Sequence, residues 1–191
     1  MKKAIIVFHS VCGNTFLMAQ EYQKAFQNCG VDADLFRVED QNFATIADMF
    51  PASRETKAAI EAIPVLTDGA AVLPYDYIVL GSPTYFGNVS GPMKLFMDSF
   101  CPLFVESKLF GKDFTAFTAS STTSGGPDMC LLAMNNFALH LGMTVHAVPA
   151  NLQGAVQPAY GIAHASGGDS TIRPDAATKE AIHNYIKLLV K

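Results

Sequence analysis

Three apolar runs constrain this chain more than anything else in it: Ala4–Phe8, Tyr77–Leu80 and Phe114–Ala119. Each is short, and none shows the polar alternation of a half-exposed strand. They read as strands buried on both faces, the environment of a parallel sheet. Each empties directly into a loop of small, hydroxylated or glycine residues: His9–Thr15, Gly81–Asn88 and Ser120–Pro127. Behind each loop the pattern turns helical. Met18, Tyr22, Ala25 and Phe26 recur at helical spacing after the first, and Pro92 sits in the first turn of a helix running to Phe100 after the second. A helix from Asp128 to Leu141 follows the third.

The rest of the chain extends the same alternation. Val31–Phe36 alternates apolar and polar residues, as an edge strand does, and Thr144–Val148 supplies a fifth strand. Short helices fit Phe43–Phe50, stopped by Pro51, and Ser53–Ile63, closed by Pro64. Pro174 opens a last helix whose apolar face is Ile182, Tyr185, Ile186 and Leu189. Five strands alternating with helices predict an α/β fold, a doubly wound five-stranded parallel sheet with helices on both faces, in one domain over residues 1–191. The edge character of the second strand favours the order 2-1-3-4-5. In that order ligands lie beyond the carboxyl ends of the strands, where the first and third diverge. The three polar loops leave those ends together. The long segment Pro149–Arg173 reads as a loop, either functional or pinned by another subunit.

Composition removes several classes of function. A net charge of −4 gives no attraction for nucleic acid or an anionic membrane. No apolar run reaches spanning length, and the opening apolar stretch is too short for a signal peptide, so the expected compartment is the cytoplasm. Cys12, Cys29, Cys101 and Cys130 show no C-x-x-C spacing, which argues against a zinc or iron–sulfur site; no metal is expected. Three of them read as reduced, partly buried thiols. Cys12 is either a small residue lining its loop or a thiol that a helix start favours as thiolate.

The loops carry the chemistry. A helix start leaves backbone N–H groups unpaired and bears partial positive charge, so His9–Thr15 suits a phosphate. Gly13 allows the turn, while Ser10, Asn14 and Thr15 add side-chain hydrogen bonds; with no lysine, the loop suits a phosphomonoester rather than a triphosphate. A well-capped strand-to-helix turn would use the same residues. Tyr85 and Phe86 can lie against a flat ring, and Ser120–Gly126 offers hydroxyls and N–H groups to its polar edge. Phosphate at one end and a flat polar heterocycle at the other point to FMN.

The run Ser10-x-x-Gly13-Asn14-Thr15 resembles a flavodoxin phosphate loop. Gly81–Lys94, with Phe96 and Asp98, is similar to the central signature of the WrbA-like NAD(P)H:quinone oxidoreductases in the flavodoxin-like superfamily. Leu109–Lys112, Gly142-Met143, Tyr160-Gly161 and Gly167–Asp169 continue the likeness. The resemblance implies tightly bound, non-covalent FMN, with NAD(P)H as transient donor and a quinone or other small acceptor reduced by two electrons in a ping-pong cycle. By it, Ser10, Val11, Cys12, Gly13, Asn14 and Thr15 would bind the phosphate. Pro83, Thr84, Tyr85, Phe86 and Gly87 would border the ring, and Ser120, Ser121, Thr122, Thr123, Ser124 and Gly125 would hold its polar edge. His140 matches a family histidine that approaches the flavin, as cofactor contact and candidate catalytic residue. Phe104 falls where the family has a tryptophan beside the substrate pocket, which Cys12 and Tyr85 would also line. The resemblance further implies a homo-oligomer, dimer or tetramer.

The chain departs from the family at Cys12, where a large aromatic is usual, at Tyr85, where arginine is, and at Pro92, where glutamine is. The alternative is a flavodoxin-type electron carrier without its own NAD(P)H activity. Carriers surround the flavin with acidic residues, and here only Asp128 ends the third loop. His9, His146, His164 and His183 read as structural or exposed residues.

Overall fold

The structure, a computed structural model, describes residues 2–190. Its central sheet is built from β1 (Lys3–Phe8), β2 (Asp32–Val38), β3 (Val65–Leu66), β4 (Tyr77–Pro83), β5 (Asp113–Ser120), β6 (Thr144–Val145) and β7 (Ile162–Ala165). All pairings are parallel, in the order β3-β2-β1-β4-β5-β6, with β7 also on β5. The helices are α1 (Asn14–Asn28), α2 (Phe43–Asp48), α3 (Lys57–Glu61), α4 (Gly91–Asp98), α5 (Cys101–Phe104), α6 (Pro127–His140) and α7 (Ala176–Leu189).

Period-two geometry divides the core into two layers. Ala4, Ile6 and Phe8 of β1 face α1 and α7, packing with Met18, Tyr22, Phe26, Ile182 and Ile186. Ile5 and Val7 face α4 and α6, packing with Met93, Phe96, Leu131 and Met134. Burial on both faces is why β1 and β4 read as continuous apolar runs. Gly81, in the middle of β4, makes room for a ring. A Cβ there would stand 2.6 Å from Cε1 of Phe117 on the neighbouring strand.

The central order β2-β1-β4-β5 matches the sequence reading, and the count of five strands needs correction at both edges. The two-residue β3 pairs with Arg37 and Val38, so β2 is an edge only over Asp32–Phe36. The fifth strand is split. β6 pairs with Asp113 and Phe114, β7 pairs with Phe117–Ser120, and residues 146–161 leave the sheet between them. The expected strand over Thr144–Val148 stops at Val145: the His146 N–H still reaches the Phe114 carbonyl at 3.0 Å, but the Val148 N–H has turned to the Ala159 carbonyl at 2.9 Å. The segment expected to be loop from Pro149 to Arg173 therefore contains a strand.

Other boundaries move for local reasons. Residues 51–53 form a 3-10 turn before α3, so no single helix spans Ser53–Ile63. The last helix begins at Ala176, because the Asp175 side chain caps it by accepting from the Thr178 N–H at 2.8 Å. Helix α6 starts beside the carboxyl end of β5 and returns antiparallel to it. Its end is tied to the opposite end of the strands, just before β5, where Gly111 N–H donates to the Gly142 carbonyl at 2.9 Å.

Candidate functional site

A cleft of about 200 Å³ opens at the carboxyl ends of β1, β4 and β5. The three loops singled out from the sequence meet there. From the first come Ser10, Val11, Cys12, Asn14 and Thr15; from the second Pro83, Thr84 and Tyr85; from the third Ser120 and Ser121.

The first loop is fixed by glycine. Gly13 has φ +96°, a left-handed conformation that L side chains rarely adopt, and its Cα faces Thr56 so closely that a Cβ would stand 2.8 Å from Thr56 Cγ2. Its N–H donates to Ser10 Oγ at 3.2 Å, tightening the turn. The first bond of α1 is Leu17 N–H to the Gly13 carbonyl at 2.9 Å. The N–H groups of Asn14, Thr15 and Phe16 thus precede the helical ladder; no side chain caps them and no acid lies in the first turn. Asn14 donates through Nδ2 to the Ser170 carbonyl at 2.8 Å, while its Oδ1 is buried with no partner. Val11 is buried and anchors the loop; Cys12 is half-buried. Burial pushes the Cys12 thiol up, against the opposing pull of Ser170 and Arg173, so it is poised as a neutral lining group rather than a thiolate.

The second loop is a two-residue hairpin. Tyr85 and Asn88 exchange backbone hydrogen bonds at 2.9 and 3.0 Å, and Phe86 and Gly87 both have positive φ, 53° and 73°. That is the conformation of a type I′ turn. Thr84 is pinned to β5 by its N–H to the Ala119 carbonyl at 2.8 Å and by an Oγ1–Oγ1 contact with Thr118 at 2.8 Å. Tyr85 lines the cleft half-exposed, and desolvation, with Cys12 and Asp40 nearby, holds its phenol up at about 12. It is a neutral hydrogen-bonding group throughout the physiological range. Phe86 instead projects fully into solvent at the lip. Behind Tyr85, His9 Nε2 pairs with Asp40 at 3.0 Å, both side chains buried, and this bond holds the Asp40 carboxyl below its usual range.

The third loop enters the cleft only through Ser120 and Ser121. Ser120 Oγ donates to the Thr122 carbonyl at 2.8 Å and Gly125 N–H returns to the same carbonyl at 3.1 Å, so Thr122, Thr123, Ser124 and Gly125 form an exposed turn at the rim.

Two expected site residues lie elsewhere. His140 is exposed at the end of α6, across the sheet from the cleft, because α6 runs antiparallel to β5. Phe104 is half-exposed at the end of α5, beyond Phe100, which packs edge-on against Phe137 in the last turns of α6. Within one chain neither reaches the cleft. Five lining residues had no place in the sequence reading of the site: Phe50, Ala119 at the end of β5, Ser166, Gly168 and Ser170. The Gly167–Asp169 run hinted at the last three, while nothing around Phe50 sets it apart from a core residue.

The described residues lining this cleft are all uncharged. The cleft combines unpaired N–H groups and hydroxyls at one end with an aromatic face and a serine edge at the other. A phosphomonoester carrying a flat heterocycle fits this donor set.

Comparison with known proteins agrees. Residues 4–154 match the family model described as NADPH-dependent FMN reductase. A protein of Syntrophobacter fumaroxidans named "NAD(P)H dehydrogenase (quinone)" is 35% identical over 80% of this chain and 74% of its own. One of the same name from Cupriavidus metallidurans is 28% identical over 100% of this chain and 96% of its own. Among solved structures, the flavodoxin, WrbA-like protein of Agrobacterium tumefaciens aligns with TM-score 0.61 at 19% identity, over 98% of this chain and 97% of that one. Oxidised Flavodoxin 2 of Bacillus cereus aligns with TM-score 0.62 at 18% identity, over 97% and 95%. The structures carry the fold, the sequences carry the family, and the chain belongs to the flavodoxin-like NAD(P)H:quinone oxidoreductases, the family of NADPH-dependent FMN reductases.

Proposed function

We propose that this chain holds FMN in the cleft at the ends of β1, β4 and β5 and catalyses NAD(P)H + H⁺ + quinone → NAD(P)⁺ + hydroquinone. The observation that carries the reading is the donor set at the start of α1, where three N–H groups and the Ser10 and Thr15 hydroxyls surround a space with no competing charge. FMN supplies the two-electron relay between nicotinamide and quinone. The protein's part is binding and orientation. Ser10–Thr15 hold the phosphate, Thr84 and Tyr85 border the ring, with Phe86 and Gly87 at its lip, and Ser120 and Ser121 meet its polar edge. Hydroxyl and N–H donors at that edge stabilise the negative charge that accompanies reduction. No side chain acts as nucleophile. The uncharged lip favours small neutral acceptors over a basic protein partner.

The assembly we propose is a homo-oligomer in the cytoplasm. Phe104, Val105, Phe110 and Leu139 are all exposed, Phe110 and Leu139 meeting at the Gly142 turn beside His140. In an oligomer, the His140 end of one copy can cover the cleft of another, which one chain alone cannot do. Sedimentation of the FMN-loaded chain as a monomer at micromolar concentration would remove this part of the reading.

The central claim is tested by anaerobic mixing of FMN-loaded protein with NADH, then with NADPH, following the visible flavin absorbance. Rapid bleaching reversed by benzoquinone is expected. A bound flavin that neither nucleotide bleaches would refute the reductase and leave an electron carrier.

A further inference from the structure

The phosphate end of the cleft contains no charge of its own, yet a cation stands directly behind it. Arg173 lies far away in sequence, at the end of the segment that follows β7. One guanidinium nitrogen donates to the Cys12 carbonyl at 2.6 Å, inside the phosphate loop, and the other to the Ala52 carbonyl at 2.5 Å. Its carboxylate neighbour, Glu55, is at 3.7 Å and mostly exposed, a weak competitor for the charge. The segment Ser166–Arg173 crosses the loop as a strap. Ser166 Oγ ties it to the Ser120 carbonyl at 3.1 Å, and the Ser170 carbonyl receives both Asn14 Nδ2 and Arg173. Ser170 itself has φ +61°, a conformation that costs a non-glycine residue energy and persists only where surrounding contacts enforce it. Ser166, Gly168 and Ser170 form one wall of the cleft.

Two consequences follow from this geometry. Held by Arg173, the Cys12 carbonyl is kept from turning toward an anion at the uncapped N–H groups of Asn14, Thr15 and Phe16. The guanidinium, one layer behind those donors, also contributes the positive charge that the loop's own residues lack.

We propose that Arg173, carried by the Ser166–Arg173 strap, is the positioning residue that makes this site selective for a phosphorylated flavin over the free riboflavin core. The inference rests on the FMN reading above and adds to it the origin of the charge. Arg173 acts through the Cys12 peptide and its field, not by touching the ring. Its effect must therefore depend on the ligand's phosphate.

The test compares FMN and riboflavin binding to the full chain freed of flavin, by titration with flavin fluorescence as the signal. Arg173→Gln keeps a donor for the Cys12 carbonyl and loses the charge; Arg173→Lys keeps a donor and the charge. Attraction between unit charges held one peptide layer apart at an effective dielectric of about 20 sets the expected scale, so Arg173→Gln lowers FMN affinity about 10- to 100-fold and changes riboflavin affinity less than about threefold. Arg173→Lys recovers most of the loss. Riboflavin binding serves as the internal control that the cleft remains folded. Parallel loss of both ligands, or a lysine variant as weak for FMN as the glutamine variant, overturns the proposal. An unaltered chain that binds riboflavin as tightly as FMN overturns the phosphate-site reading itself, and this inference with it.

Discussion

Replacing Gly13 by alanine tests the geometry of the phosphate loop more sharply than any other single change. Two independent costs arise. At φ +96° an L side chain is strained, at about 1–2 kcal/mol. The new Cβ would also stand 2.8 Å from Cγ2 and 2.9 Å from Cβ of Thr56, and closer still to its Oγ1. Overpacking of that kind costs about 1–3 kcal/mol, because Thr56, itself buried, must shift with the turn before α3. Together the expected loss is about 2–5 kcal/mol in flavin-free protein. The two parts separate in a double-mutant cycle with Thr56→Gly. Thr56 makes no side-chain cap bond at the start of α3, but its buried hydroxyl donates to the Ser53 carbonyl at 3.3 Å, so glycine there carries its own cost of about 1–2 kcal/mol, which the cycle subtracts. Removing its side chain should restore about 1–3 kcal/mol of the Gly13→Ala loss and leave the backbone strain. Urea unfolding of the four proteins measures the stability, and FMN titration measures the site. Strict additivity of the two substitutions would falsify the steric argument, and a neutral Gly13→Ala would sink both parts.

Three further outcomes are expected. Gly81→Ala, whose Cβ would press on the Phe117 ring between two central strands, should cost about 1–3 kcal/mol or more, read as a lower urea midpoint; an unchanged midpoint would show that the ring moves aside freely. Phe86→Asn should raise stability by about 1 kcal/mol, since Asn tolerates the left-handed region and the Phe86 side chain packs against nothing; thermal unfolding checks this, and a lower midpoint contradicts it. The Asp40 carboxyl is depressed below 3.8, first by its hydrogen bond from His9. A group lowered on folding stabilises above its unfolded pKa and loses that contribution as pH falls through its folded value. Asp40→Asn should therefore be less stable near neutrality and show a shallower decline from about pH 5 to pH 2 than the unaltered chain. Identical acid limbs in the two proteins would rule out the His9–Asp40 bond as a source of stability.

Much of the fold was legible because burial on both faces leaves a mark that needs no partner to be read. Ala4–Phe8 and Tyr77–Leu80 are apolar without interruption for that reason, and the polar loops behind them announce where a ligand belongs. The edges were harder. A two-residue strand such as Val65-Leu66 has no period, and Ile162–Ala165 is a strand only because β5 presents unpaired groups once Thr144–Val145 has turned away. His140 was placed at the flavin by its neighbours in sequence. The direction of α6, set by packing on β5, carries it to the other end of the sheet.

The sequence by itself determined the layered α/β architecture, the central strand order and the three loops that build the cleft, since each depends on local period and on residues within a few positions of one another. Only the tertiary structure decided what closes that cleft. Phe50 comes from the segment after β2, the Ser166–Ser170 wall from beyond a split strand, and Arg173 stands behind a loop some 160 positions earlier in the chain, at Cys12. The physical reason is that a wall is made by approach through space. A guanidinium meeting a distant carbonyl leaves no pattern in the residues on either side of it.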